Sequence, residues 1–268
     1  MQRWLVIVAL VLGSSLLAQP NTARAQKDGA LNVLQQQIDQ LRAHMIKVES
    51  DNAALKAKLA CQTIVGHEVY FTGCNVNIRS GTGATDGPVN GLGNLVVGYN
   101  EPYPPDTAHT GSHNIVVGIG HEYTSYAGLV AGYDNEISGP FASVTGGVRN
   151  LATGTGSSIS GGLHNGARGD YSSVSGGALN QAKGWASSVI GGQFNTAEGA
   201  TSSISGGDHN RVEGDSSSIT GGVGNTASGS DSSVSGGTGN LASGTSSSVL
   251  GGGGQNATSP NQPIPALP

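Results

Sequence analysis

The most constraining feature of the chain is a 15-residue register that runs through its second half. A β-branched residue stands at Val144, Ile159, Val174, Val189, Ile204, Ile219, Val234 and Val249. Serine precedes each one, and a Gly pair begins two residues later, from Gly146-Gly147 to Gly251-Gly252. Asparagine recurs at Asn150, Asn165, Asn180, Asn195, Asn210, Asn225 and Asn240, with Gln255 in the last copy. Alanine follows two places on, replaced once by Val212, and a further glycine recurs from Gly154 to Gly244. The consensus is Ser-Ser-Val/Ile-Ser-Gly-Gly-x-x-Asn-x-Ala-x-Gly-x-x. A looser copy begins at Ala127, with Val130, Gly132, Asn135, Ile137 and Gly139.

Fifteen residues are too few for a helix pair or a propeller blade, and they suit one turn of a parallel β-solenoid. Alternation along Ser-Ser-Val-Ser sets Val or Ile on one side and Ser on the other. Glycines mark the bends. At about 4.8 Å per coil, nine coils make a stack roughly 43 Å long. The β-branched residues then form a spine, and the asparagines a ladder from coil to coil. Composition agrees with a thin structure: 45 Gly, 4% aromatic and 11% charged residues leave no material for a wide core. A disordered Gly/Ser linker is the alternative, but it has no use for β-branched residues in strict phase. The expected divisions are a solenoid over 127–257 and a flexible Pro-rich tail over 258–268. A core of one Val/Ile and one Ala per coil is meagre, so association of chains is expected to help it.

The N-terminal segment reads as a signal peptide over 1–25. Arg3 is followed by an apolar run from Trp4 to Leu12, then Pro20 and the small-x-small site Ala23-Arg24-Ala25. The run is short for a membrane span, although an uncleaved anchor is the alternative. No second stretch long enough to span a membrane follows. The chain is therefore expected to be exported, to the surface, periplasm or exterior of a bacterium.

Residues 26–60 carry a heptad pattern. Leu31, Ile38, Met45, Asn52 and Leu59 fall at a, and Leu34, Leu41, Val48 and Leu55 at d. Such a narrow stripe suits a partner helix better than the chain's own surface. Asn52 in the core would fix register at some expense of stability. The pattern predicts a homo-oligomer and leaves dimer and trimer both open. Residues 61–126 form a β-rich junction and lead-in with a loop insert around Pro102, Pro104 and Pro105. Its two cysteines, Cys61 and Cys74, are an even pair in an exported chain, which points to a disulfide. A turn centred on His67-Glu68 would set Cys61 opposite Cys74, Ile64 opposite Phe71 and Val65 opposite Tyr70. The lead-in strands are Leu95-Val96-Val97-Gly98 and Ile115-Val116-Val117-Gly118.

The sequence points away from catalysis. His109, His113 and His121 lie close together, yet their spacing matches no zinc signature, and they are expected as exposed loop side chains. No Gly-x-Ser-x-Gly elbow with its partners stands out, and the Gly runs lack a phosphate-loop Lys. Asp208, Asp215 and Asp231 do not recur in the nine-residue phase of calcium repeats. No catalytic residue, metal or cofactor is expected. Of 12 basic residues, Arg3 and Arg24 leave with the signal, so 10 face 17 acidic ones, a net charge of −7. That balance argues against nucleic acid as partner.

The array, with its Asn-Leu-Val-Val-Gly and Asn-Ile-Val-Val-Gly lead-in, resembles the YadA-like head repeats of trimeric autotransporter adhesins over about residues 90–257. Similar repeats occur in tail-fibre-like bacterial proteins. The resemblance implies a left-handed parallel β-roll, three chains side by side, and a head that binds a surface. The family repeat is typically one residue shorter, its coiled coil usually follows the head, and its C-terminal membrane barrel has no counterpart here. The functional expectation is an exported, non-enzymatic structural or adhesion-type protein, with a surface protein or glycan as ligand. A fibre or appendage spacer, and an ice- or polysaccharide-binding solenoid that uses the Ser face, are the alternatives.

Overall fold

The computed structural model describes residues 21–103 and 107–265. The apolar run of the expected signal and the end of the expected tail lie outside them. The chain divides into two units, 1–76 and 77–268.

In the first unit, one helix, α1, spans Asn21–Lys58. It is built of good helix formers with Lys56 and Lys58 in its last turn, where cations favour the carbonyl end. Leu59 follows in the closing turn, its N–H donating to Leu55 O over 3.0 Å. The helix starts ahead of the expected mature start at Gln26. Behind it, β1 (Gln62–Val65) and β2 (Glu68–Phe71) form an antiparallel hairpin. Its register differs from expectation: Ile64 pairs with Val69 and Val65 with Glu68, so the turn is Gly66-His67. The reason is Gly66, whose φ of +61° suits the first position of a two-residue hairpin loop. Cys61 and Cys74 flank the hairpin and are disulfide-bonded, with Cα atoms 5.9 Å apart.

The second unit is a parallel β-solenoid. One sheet of twelve strands runs from Leu95–Val97 to Pro263–Ile264. A second, of ten strands, runs from Glu122–Tyr123 to Asn256–Ala257. Between them lies a row of single bridges, Tyr133 to Val148, Val148 to Leu163, and onward to Gly253. Neighbouring coils pair in register, Val144 with Ile159 and Ile159 with Val174. The hydrogen bonds share one direction: Ser158 N donates to Ser172 O, and Ser173 N to Ser187 O, each over 2.9 Å. The buried interior is the expected one, with Val144 through Val249 and Ala152 through Ala257 all at 0–1% exposure.

The coils are not all of one length. Val116 pairs with Val130 and Val130 with Val144, steps of 14 residues, whereas later steps are 15. The copy at Ala127 therefore belongs to a shorter lead-in class. The extra residue enters after the first sheet: Val130-Ala131-Gly132 becomes Val144-Thr145-Gly146-Gly147. The lead-in strands Ile115–Ile119 and Leu129–Tyr133 run unbroken for five residues. In 15-residue coils, the strand stops after two, and pairing resumes at the isolated bridge. An added residue facing a shorter partner breaks a ladder locally, as in a β-bulge.

Three glycine rows have different duties. The first of each pair, such as Gly206, has open space where a Cβ would sit. The second, such as Gly207, has φ +91° and faces the Gly222 carbonyl of the next coil. The third, such as Gly199, lies directly under the Gly214 carbonyl. Two other corners are left-handed whatever residue occupies them. Leu179 (φ 57°), Phe194 (54°) and His209 (56°) share one corner with Gly224 and Gly239. Phe141 (61°), Tyr171 (59°) and Ser216 (56°) share the other with Gly156. L-residues give up roughly 1–2 kcal/mol each in this conformation.

The array also runs past its expected end at 257. Pro263–Ile264 pairs with Ser248–Val249, because Ser248 N and Leu250 N still find Gln262 O and Ile264 O, at 2.8 and 2.9 Å. Prolines tolerate this position because the carbonyls used are those of Gln262 and Ile264, and this strand is the edge of its sheet, so no neighbouring strand asks Pro263 for the N–H it lacks.

The glycine rows make a differential prediction. Gly206→Ala should leave the urea midpoint within about 0.5 kcal/mol of the parent. Gly199→Ala should destabilise the solenoid by about 3 kcal/mol or prevent folding, because the methyl group meets backbone. Equal effects in circular-dichroism melts would contradict the stacking.

Candidate functional site

The asparagine row builds the inside of one corner. Asn195 is typical: its N–H donates to Asn180 Oδ1 at 3.1 Å, and its Nδ2 donates to Gly191 O and Gly207 O at 3.0 and 2.9 Å. Its own Oδ1 accepts from Asn210 N at 3.0 Å. One buried residue thus links three consecutive coils, the preceding one through its N–H and its own and the following one through its side chain. The same pattern runs from Asn150 to Asn240, and Asn240 Oδ1 accepts from Gln255 N over 2.9 Å.

The ladder begins earlier than the 15-residue register indicates. Asn150 N donates to Asn135 Oδ1, at 2.8 Å, and Asn135 N donates to His121 Nδ1, at 3.2 Å. His121 N in turn donates to Asn100 Oδ1 over 2.8 Å. His121 Nε2 reaches Val117 O at 3.0 Å, the same carbonyl four residues back that an asparagine amide would take. The imidazole therefore acts as a rung, with Nδ1 accepting and Nε2–H donating. His121 is fully buried, which corrects its expected place on an exposed loop. The signal was legible in spacing: His121 follows Gly118 by three residues, as Asn135 follows Gly132 and Asn150 follows Gly147. His109 and His113 stand on loops as expected, but as half-buried fasteners rather than exposed side chains. His113 Nε2 accepts from Ser80 N over 3.0 Å, and His109 Nε2 lies 2.9 Å from His121 O while its ring stacks on Tyr123.

Serine placement also differs from expectation. Of the two serines before each Val/Ile, the second faces outward, and the first shares the inner face with Val. Ser157, Ser172, Ser187 and Ser202 are buried with no hydrogen-bond partner for Oγ. Ser217 Oγ donates to Gly229 O over 2.6 Å, which shows the acceptor within reach of the row. The first array coil places Ala142 there, so the position selects for small size.

The outer face of the twelve-stranded sheet changes along its length. The lead-in coils present Leu95, Val97, Ile115 and Val117, all exposed. The array coils present pairs such as Ser158/Ser160, Ser173/Ser175 and Ser203/Ser205. Ile190 and Leu250, each 59% exposed, interrupt this hydroxyl surface. A flat lattice of hydroxyls for ice is therefore broken at two coils.

An open cleft of about 340 Å³ lies beside the lead-in, lined by Tyr103, Glu122, Asp134, Glu136 and Arg149 among others. Glu122 and Glu136 stand in register on adjacent strands. Burial, then the Glu122 charge, push the Glu136 carboxyl above its usual range. Arg149 Nε meets Asp134 Oδ2 at 2.8 Å. Further along the same side, Glu198 bridges Lys183 and Arg211 at 3.0 and 2.7 Å. Among the described residues, no three His, Cys, Asp or Glu side chains are grouped to hold a metal ion, and no helix is long and apolar enough to cross a membrane. Of the expected heptad core, Leu31, Leu34, Leu41, Met45, Val48 and Leu55 are exposed on α1, as are Asn52 and, in the turn that follows, Leu59, while Ile38 is partly covered.

No protein-family model matches the chain, and no curated protein matches it. What defines it is the fold: a parallel β-solenoid of about 15-residue coils with one N-terminal helix and a disulfide-bonded hairpin.

Two predictions concern the ladder. Asn195→Ala removes two donated hydrogen bonds and an acceptor from a dry corner and should destabilise by about 2–4 kcal/mol in urea titration. Burial lowers the His121 pKa below the ordinary 6.5, against hydrogen bonds and the Asp134 charge that favour protonation. As pH falls, the unfolded chain takes up this proton first. Stability is thus fully present above about pH 6.5 and is lost below it. His121→Asn should supply the usual rung and reduce the fall in urea midpoint between pH 7.5 and 5; an undiminished fall would assign the acid sensitivity elsewhere.

Proposed function

We propose that the chain is an exported, non-enzymatic structural or adhesion-type protein, which assembles through α1 into a trimer and presents a β-roll to a surface or partner. The observation that carries this reading is the exposed heptad row of α1. A 38-residue helix that leaves its a and d side chains in water is incomplete as a single chain. The aliphatic outer face of the lead-in coils is a second uncovered surface and supports side-by-side packing. The disulfide is consistent with an oxidising compartment. The resemblance to YadA-like heads supports three chains over two, and the 14-residue steps of the lead-in match that family's shorter repeat.

A fibre or appendage spacer is the second reading, favoured by the last coils. No aromatic residue follows His209, and no charged residue follows Asp231. Such bare coils extend a stack without offering a partner much to recognise.

Light scattering on the mature chain should give three times the monomer mass. Leu41→Asp together with Val48→Asp should return it to one chain. A parent that is already monomeric at micromolar concentration overturns the reading.

A further inference from the structure

We propose that the corner carrying Tyr126, Phe141, Tyr171 and Trp185 is a binding strip for an extended polysaccharide chain laid along the solenoid axis. Aromatics make up only 4% of the chain, yet these four line one corner over five consecutive coils. None belongs to the core: Phe141, Tyr171 and Trp185 are 53%, 61% and 56% exposed. Nor does the corner need them to form. Equivalent positions in later coils hold Ala200, Thr201, Ser216 and Ser246 with the same backbone, and Phe141 and Tyr171 sit at positive φ, which bulky side chains rarely adopt. Rings kept at exposed and conformationally unfavourable positions, where the same chain elsewhere uses Ser, point to an external partner.

The geometry favours a sugar over a protein. The strip is one side chain wide, and polar residues border it: Thr155, Asp170, Arg168 and Lys183. A protein interface buries a broad apolar centre. A pyranose needs only one ring face for its apolar C–H surface, with donors and acceptors at its rim for the hydroxyls. The rings come in two edge-to-face pairs. Tyr126 and Phe141 meet at 83° with centroids 5.3 Å apart, and Tyr171 and Trp185 at 77° and 6.3 Å. In such a pair, the ring that offers its edge keeps both of its faces clear of its partner. Gly156 separates the pairs, and its missing side chain leaves room for the Tyr171 ring, whose Cδ1 lies 3.0 Å from where a Cβ would be. The coil spacing of about 4.8 Å is close to the advance of one sugar unit in an extended chain, so both pairs can engage one strand of ligand in phase. Asp170 Oδ1 is held at the strip by Thr155 N, at 2.8 Å.

This inference deepens the display reading by naming a ligand class, and its test is independent of assembly. Of the chain's two tryptophans, Trp4 lies in the expected signal, so Trp185 is the one reporter in the mature protein. Titration of the mature chain with cellohexaose and chitohexaose should shift Trp185 emission to the blue with at least one of them. Affinity electrophoresis through the matching soluble polysaccharide should retard the parent. Retardation should fall at least tenfold in the combined Phe141→Ser, Tyr171→Ser and Trp185→Ala variant, whose replacements are residues later coils already use. Tyr171→Ser alone keeps the reporter and should weaken the titration severalfold. Unchanged emission with both sugars, or equal retardation of parent and triple variant at unchanged circular dichroism, overturns the proposal. A blue shift with protein concentration alone also overturns it, since a second copy would then cover the strip. Light scattering on the same samples separates this outcome from failure of the trimer.

Discussion

A side-chain amide inside each turn is the interaction on which the solenoid depends. A coil of 14 or 15 residues must bend sharply several times, and at each bend backbone groups turn away from their strand partners. Buried and unpaired, each such group is unfavourable by about 1–3 kcal/mol. The Asn row resolves this with one residue per coil. Its Oδ1 receives the following Asn N–H, and its Nδ2 ties the carbonyl of its own Gly pair to that of the next coil. Because every rung donates its N–H back to the preceding amide while its side chain serves its own coil and the next, removing one leaves groups unpaired in neighbouring coils as well. The corner glycines follow from the same geometry: the amide approaches the second Gly of each pair closely enough that a Cβ at Gly207 would meet Asn210 Nδ2 at 2.5 Å.

This arrangement explains how so little apolar material suffices. The interior holds Val or Ile, Ala, a small Ser and the paired Asn, all nearly inaccessible. Order comes from ladders along the stack more than from bulk across it. The lead-in coils use another balance. Their strands are longer, their outward residues aliphatic, and one of their rungs is His121 in place of Asn. An imidazole can imitate an asparagine only while one nitrogen stays bare, so the first coils carry a proton sensitivity that an amide ladder lacks.

Much of this was legible in the sequence, and the shortfalls share a cause. Strict recurrence exposed the spine, the Asn ladder and the solenoid class, since each residue's role repeats. Features that occur once escaped. His121 was hidden because the period was taken as 15 when its neighbours step by 14. The buried Ser row was hidden because Ser on both faces of a strand gives no alternation to read. The hairpin register missed by two because the turn was centred on His67-Glu68, while Gly66, with its tolerance of positive φ, belonged inside the loop. The prolines near the end suggested a free tail, yet a proline can sit in an edge strand, where no neighbour asks for the N–H it lacks.

The same logic separates what the fold requires from what it merely carries. Inner positions are nearly invariant from coil to coil, and any drift there meets backbone or leaves an amide unpaired. Outer corners are unconstrained, as the interchange of Gly, Ser, Thr and Asp at one left-handed position shows. Variation confined to unconstrained positions records demands from outside the coil. That variation is uneven: aromatic, basic and acidic side chains occupy corners and outer faces up to about residue 231, and none of these types follows it. Coils of identical interior thus divide into a decorated stretch and a bare one. A stack that needed only length would have no reason to hold Phe141 and Tyr171 in a backbone conformation that favours glycine. Under the proposed display function, recognition belongs to the decorated coils and extension to the bare ones, on a single uninterrupted ladder.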